Sequence, residues 1–457
     1  MALLAASTPS AQALSVDAAR ENCRMTVGRP IVQSCMKGSG GMGNFEACRE
    51  KARPAVVACM KSALNAANGP ANVAVAIPTE AAPKASAAGA VPAAFVAPPR
   101  TITDITAILD SEKPDLKTIQ ELQGEADANP TGKESREDLA QFYFDRANAR
   151  AQLGRLADTI ADANKAIEAG RGAVSANMMG RLISLAAQQY SAAGDPKKAF
   201  ELYQRQLREV STQRGAKGYQ FGANRAIAAI LVQMGDIQQA EAVLRRSLPQ
   251  LQEARTSGHP MARAAFNTYG QSWEAEIELG RAMLAEARGQ FRDAEAAYKI
   301  GELRKRAAIK PILASENPPS ESSMVLAVDV AVISQARMKA RQGRFGEAEV
   351  DARRALLSQL KNQGKYNAAT PRFIAGLADI LVEQGRYAEA EQLARVSLDI
   401  SKTVGVAGDA VTYVQQLSNL GSILNLQRKG KEAIAVYAQI DKAIANWEPA
   451  RRQAFEL

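Results

Sequence analysis

From Thr101 onward the apolar and small residues keep the spacing of amphipathic helices, whereas from Asn65 to Arg100 no helical period is visible. The earlier stretch is mainly Ala, Pro and Val with few charges. It cannot bury enough surface to offset its ordering entropy, so residues 65–100 are expected to form a flexible linker. Residues 101–135 predict two short capping helices, broken at Lys113-Pro114. A repeating register follows. Six glycines each close a helix: Gly154, Gly194, Gly235, Gly289, Gly343 and Gly385. Seven residues before them stand Ala147, Ala187, Ala228, Ala282, Ala336 and Ala378. Five residues after them come Thr159, Ala199, Ala240, Ala294, Ala348 and Ala390, and four further on Ala163, Tyr203, Leu244, Tyr298, Ala352 and Ala394. Small residues at fixed offsets are what closely crossing helices require. A seventh copy keeps the offsets without the glycine, placing Gly421, Ala433 and Tyr437 in the same columns.

Segments such as Leu153-Gly154-Arg155-Leu156-Ala157-Asp158 and Gln384-Gly385-Arg386-Tyr387-Ala388-Glu389-Ala390-Glu391 resemble the turn and second helix of the tetratricopeptide repeat (TPR). That resemblance implies an all-α fold, a TPR-type α-solenoid in which helical hairpins wind into a right-handed superhelix, with about seven repeats over residues 136–457. The glycine-to-glycine steps of 40 to 54 residues exceed the usual repeat, and the longer spacing is similar to that of kinesin-light-chain repeats. Pro311 and Pro318-Pro319 are expected to mark one long loop. In a TPR array the first helix of each repeat lines a concave groove that holds segments of partner proteins. By this resemblance Phe144, Asn148, Ser184, Gln188, Arg225, Met283, Arg337, Arg341 and Asp379 are the candidate groove residues. The Lys/Arg–Asn clamp of chaperone-binding TPR domains is not reproduced, since Phe144 precedes Asn148 and Ala229 follows Arg225.

Composition changes this picture little. The formal net charge is +9, but Lys and Arg are interleaved with acidic residues and form no basic block with aromatics, so no nucleic-acid partner is expected. No apolar run is long enough for a membrane span. The cysteines change it more. All four fall in residues 14–64, in two copies of one unit: Glu21-Asn22-Cys23-Arg24 to Cys35-Met36-Lys37, and Glu46-Ala47-Cys48-Arg49 to Cys59-Met60-Lys61. A proline, Pro30 or Pro54, divides each copy into two arms, and arms folding back there favour Cys23 with Cys35 and Cys48 with Cys59 among the three possible pairings. With no C-x-x-C pair and no histidine nearby, zinc is disfavoured. Met1-Ala2-Leu3-Leu4-Ala5-Ala6 through Ala11-Gln12-Ala13 looks like the back half of a secretory signal over 1–13, without its basic start. Paired cysteines and this segment point to the periplasm or to secretion, the alternative being a cytoplasmic adaptor.

Catalytic chemistry is hard to assemble. The single histidine, His259, sits in the loop Ser257-Gly258-His259-Pro260, with no cysteine beyond Cys59 to partner it. Glu276 with Glu278, and Glu347 with Glu349, stand two apart, point to different sides of a helix, and are expected to be solvated charges. No catalytic residue, cofactor or metal site is expected. The order of parts, with Thr101-Ile102-Thr103-Asp104-Ile105 between the linker and the repeats, is similar to the amino-terminal halves of bacterial exported proteins in which TPRs precede a caspase-like CHAT domain. The expectation is therefore a non-enzymatic scaffold for another protein or peptide segment, or alternatively the recognition half of such a peptidase. Oligomeric state is not readable from the sequence.

Overall fold

The computed structural model describes residues 96–213, 216–315 and 318–456, with scattered positions between 27 and 59. Cys23, Cys35 and Cys48 lie outside these residues, and with them the expected pairing, the duplicated module of 14–64, the signal-like segment of 1–13 and most of the linker. The chain divides into two compact units, Phe95–Ala308 with Met324–Leu457, and Met1–Ala94 with Ile309–Ser323. The helical array belongs to the first of these, apart from residues 309–313 and 321–323 at the ends of two of its helices.

Among the described residues there is no strand. Helices α1 (Thr103–Ser111) and α2 (Leu116–Asp127) precede seven hairpins. These are α3 (Arg136–Gln152) with α4 (Leu156–Gly170), α5 (Ala176–Ala192) with α6 (Pro196–Glu209), α7 (Tyr219–Gln233) with α8 (Ile237–Thr256), and α9 (Pro260–Ala287) with α10 (Phe291–Leu313). Then come α11 (Glu321–Arg341) with α12 (Phe345–Gln363), α13 (Thr370–Glu383) with α14 (Tyr387–Val404), and α15 (Val411–Leu426) with α16 (Gly430–Ala443). The extra length of the repeats lies in long helices, not in loops: α9 alone runs 28 residues, and Pro311 falls inside α10. A short helix, α17 (Pro449–Glu456), follows the last hairpin, where none is evident in the sequence.

The turns are alike because their chemistry is alike. Each of the six glycines takes a left-handed φ, between 69° and 81°, and the next residue donates its N–H five residues back, as Arg155 does to the Arg150 carbonyl (2.9 Å) and Arg386 to that of Leu381 (2.9 Å). The second helix then starts on a side-chain cap where the turn supplies one, Asp195 accepting from Lys198 N at 2.9 Å and Asp236 from Gln239 N at 3.0 Å. The alanine columns are buried: Ala147, Ala187, Ala228, Ala282 and Ala336 show no exposed surface, and Ala378 only 1%. Where Gly421 stands in that column, an added Cβ would come within 2.6 Å of the Tyr437 ring, so even a methyl group is too large.

Later hairpins are also stitched to one another. The residue before the turn glycine, Gln342 or Gln384, donates both to a backbone carbonyl at the start of the preceding second helix and to a glutamate one turn further in, Glu295 or Glu349 (2.8 and 2.9 Å). The residue after the glycine, Arg344 or Arg386, binds the same glutamate. Gln427 and Lys429 repeat the arrangement on Glu391. The first two hairpins lack it, having Ile160 and Phe200 where the glutamate would be.

Helices α1 and α2 do more than cap the first hairpin. At one end, Arg146 and Arg150 of α3 donate to the Ala128 and Ala126 carbonyls at the C-terminal end of α2 (2.5 and 2.8 Å), and both guanidiniums are held by the fully buried Asp162 of α4 at 2.8 Å. At the other, Arg353 of α12 forks onto Asp104 (2.7 and 2.8 Å) and reaches the Thr101 carbonyl, while Ile102 N donates to Glu389 of α14 at 3.0 Å. Glu112 accepts from Lys365 N at 2.6 Å, and Gln123 donates to the Val404 carbonyl at 3.2 Å. The first turn itself meets the loop after α14, where Ala407 N donates to the Leu153 carbonyl at 2.8 Å. The start of the array is thus strapped to its fifth and sixth hairpins by partners 249 to 287 residues apart in sequence.

Candidate functional site

The candidate groove residues lie on the first helices of successive hairpins, and the structure sorts them into three kinds. Some serve packing. Phe144 and Met283 are half-buried against the core, Asn148 donates to the Phe144 carbonyl on its own helix (2.8 Å), and Ser184 accepts from Gln206 of α6 (2.7 Å). Others join a polar row that passes from hairpin to hairpin. Exposed Gln188 is hydrogen-bonded with the Tyr203 hydroxyl, near which lies Arg225 of α7; Arg225 is ion-paired with Glu276 of α9, which Lys305 of α10 also reaches. Arg337 of α11 meets Glu286 of α9 at 3.1 Å, and Glu286 also accepts from the Tyr298 hydroxyl at 2.7 Å. The remaining two, Arg341 on α11 and Asp379 on α13, are exposed and make no hydrogen bond or ion pair among the described residues.

The row's surroundings shift its titrations. Desolvation opposes the Glu276 carboxylate, but Arg225 and Lys305 outweigh it and hold the group well below the usual range. Asp379 is pushed the other way, to about 6, first by desolvation among the neighbouring helices and then by Glu383, against the pull of Arg337. Arg372, also exposed and unpaired among the described residues, is lowered by desolvation and by the Arg337 charge.

Several members of this row were not legible in the sequence. Tyr203 and Tyr298 occupy the helix-crossing column, but their hydroxyls reach past it to neighbouring first helices. Glu276 is not a solvated charge: it is pinned between Arg225 and Lys305. Glu349 is 1% exposed, because the next hairpin's turn closes over it. Two-residue spacing fixes the direction of such side chains, but burial depends on the adjoining repeat. His259 is a helix cap, its Nδ1 accepting from Met261 N at 3.3 Å. A polar cleft of about 930 Å³ among α10, α11 and α12 is lined by charges that pair with one another, Lys339 with Asp351 (2.8 Å) and Arg344 with Glu295 (2.6 Å). Among the described residues no three metal-ligating side chains come together, and no helix is long and apolar enough to cross a membrane.

No protein-family model matches the sequence, and no curated protein is significantly similar to it. Solved structures align with it at low identity. A tetratricopeptide repeat protein from Parabacteroides merdae is 13% identical, covering 66% of this chain and 94% of its own, with a TM-score of 0.34. A Rap protein complexed with competence and sporulation factor is 12% identical over 92% of this chain and 99% of its own, at a TM-score of 0.42. NprR in complex with its cognate peptide NprX is 14% identical over 75% and 87%, at 0.39. Superpositions this loose carry no functional information.

Proposed function

We propose that the row from Gln188 to Asp379 lines a groove holding a segment of a partner protein, and that the chain is a binding scaffold without catalytic chemistry of its own. One observation carries this reading: the row runs through five successive hairpins and ends in Arg341, Arg372 and Asp379, which no residue among those described satisfies. Desolvated charges without partners cost stability, and repeat arrays use such surfaces for recognition. A photo-crosslinking amino acid at position 188 or 341 should form covalent adducts with a partner in the native host, while one at exposed position 208, on a second helix, should not. Equal labelling at all three positions, or none at 188 and 341, would overturn the groove.

Periplasmic placement, with Cys23–Cys35 and Cys48–Cys59 bridges, rests on the sequence of the first sixty residues or so. The alternative role as the recognition half of a caspase-like peptidase rests on the order of the parts. Non-reducing peptide mapping of the protein from its host tests the bridges: four alkylatable thiols would favour the cytoplasmic adaptor.

A further inference from the structure

The outer side of the seventh hairpin differs from that of the six before it. The turn glycines and Arg428 fix a common register, in which Ile434 of α16 stands in the column of Ile160, Phe200 and four glutamates, and Tyr437 in that of Tyr203 and Tyr298. In the earlier hairpins neither column holds an exposed residue. In the seventh, Ile434 is 70% exposed and Tyr437 37%. Helix α17 leaves them open, since Trp447 and Arg451 hold it to the Asp409 carbonyl just before α15. At about 100° per residue, Lys431, Ile434, Tyr437, Ala438 and Asp441 fall within one arc of about 120°, and all five are exposed. Glu432 marks the opposite side, where it reaches back to Arg395 of the preceding hairpin at 2.9 Å.

This stripe is complementary to itself. Lys431 and Asp441 lie five positions either side of Val436, and Ile434 and Ala438 two positions either side. When two such stripes meet antiparallel, Lys431 falls opposite the partner's Asp441 and Asp441 opposite the partner's Lys431, while Ile434 enters the space above the partner's Ala438. A parallel meeting would set lysine against lysine. Head-to-tail addition finds no free front on the first hairpin, because α2 is bound there through Arg150 and Arg155. A two-fold contact between like surfaces closes on itself and stops at a dimer.

We propose that the outer face of α16 docks a second copy of this chain, the two helices running antiparallel about a two-fold axis at the level of Val436. The apolar centre drives association, and the reciprocal charges set direction and register. A seam of one helix from each copy lies at the small end of specific interfaces, so the dimer should form in a concentration-dependent way.

Sedimentation velocity of the full chain over a concentration series should show a monomer–dimer equilibrium that weakens with salt. Ile434→Arg sets two guanidiniums near the centre of the seam and should weaken the dimer about tenfold or more. Lys431→Asp places carboxylate against carboxylate at both symmetry-related pairs and should also weaken it about tenfold. Adding Asp441→Lys to that variant reverses both pairs and should restore the association of the wild type. All three positions are exposed, and circular dichroism of the variants checks that the helices persist. A monomer at every concentration, assemblies larger than a dimer, a dimer indifferent to Ile434→Arg, or a double variant no tighter than Lys431→Asp alone would each overturn the proposal.

Discussion

At position 428 an arginine adopts the conformation that glycine adopts in the six preceding turns, with φ at 62°. A side chain in this region carries a steric cost of about 1–2 kcal/mol, and the Arg428 side chain is exposed. Arg428→Gly is therefore expected to stabilise the array by about 0.5–1 kcal/mol in chemical denaturation, the glycine's greater freedom when unfolded taking back part of the gain. Gly385→Ala should do the reverse. A second residue-scale cost sits at Asp329 of α11, which is 1% exposed with its Oδ2 unsatisfied. Desolvation pushes its carboxyl up to about 6, and Glu302 adds to the rise, against the Ser358 hydroxyl, Arg306 and Arg354. A raised folded-state pKa means that the folded protein binds the proton more tightly, so this contribution to stability falls as pH rises from about 4 to about 6. Asp329→Asn should change stability little near pH 4 and raise it by about 3 kcal/mol at pH 7, read from paired urea titrations. A difference independent of pH would show that the carboxyl is not the source.

At the scale of the element, the hairpins themselves were legible. Glycine at a left-handed turn and alanine at a helix crossing are required by sterics within one hairpin, so their offsets appear directly in the sequence. The stitch between hairpins was not, because Gln384, Arg386 and Glu349 belong to different repeats and each residue type is common on helix surfaces. The same limit hid the burial of Glu276, whose partner Arg225 belongs to the preceding repeat. The Tyr203 and Tyr298 hydroxyls act within their own hairpins, on Gln188 and Glu286, and were hidden because a tyrosine in the crossing column reads only as packing. The stitch has a testable weight. Glu349→Ala removes the acceptor of Arg353, Gln384 and Arg386 at once. Each donor keeps another acceptor, Asp104 for Arg353, the Phe345 carbonyl for Gln384 and Glu389 for Arg386, so losing this shared one should cost about 1–3 kcal/mol, whereas Glu432→Ala, at an exposed pair with Arg395, should cost well under about 1 kcal/mol. Equal losses would show that Glu349 contributes no more than a surface charge.

At the scale of the whole array, the strap is the feature that no local pattern announced: Thr101 to Asn129 reads as two short amphipathic helices, and nothing there names Arg353 or Glu389 as partners. Asp104→Arg places like charges face to face at Arg353. Amide hydrogen exchange over residues 101–112 should then quicken about tenfold or more, with α5 and α6 unchanged. Unchanged exchange would mean that the apolar contacts of Ile105 and Leu109, both fully buried, hold the strap unaided. A helical stack with loose ends folds by local steps and frays from its termini, its stability nearly a sum over neighbours. Tying the first turn to the sixth hairpin replaces that additivity with a closing step that waits until the intervening repeats have formed. Contacts spanning 249 residues or more carry a loop-closure entropy that short-range ones do not. The strapped array should therefore refold with a slow final phase and melt as one cooperative transition, instead of unravelling hairpin by hairpin.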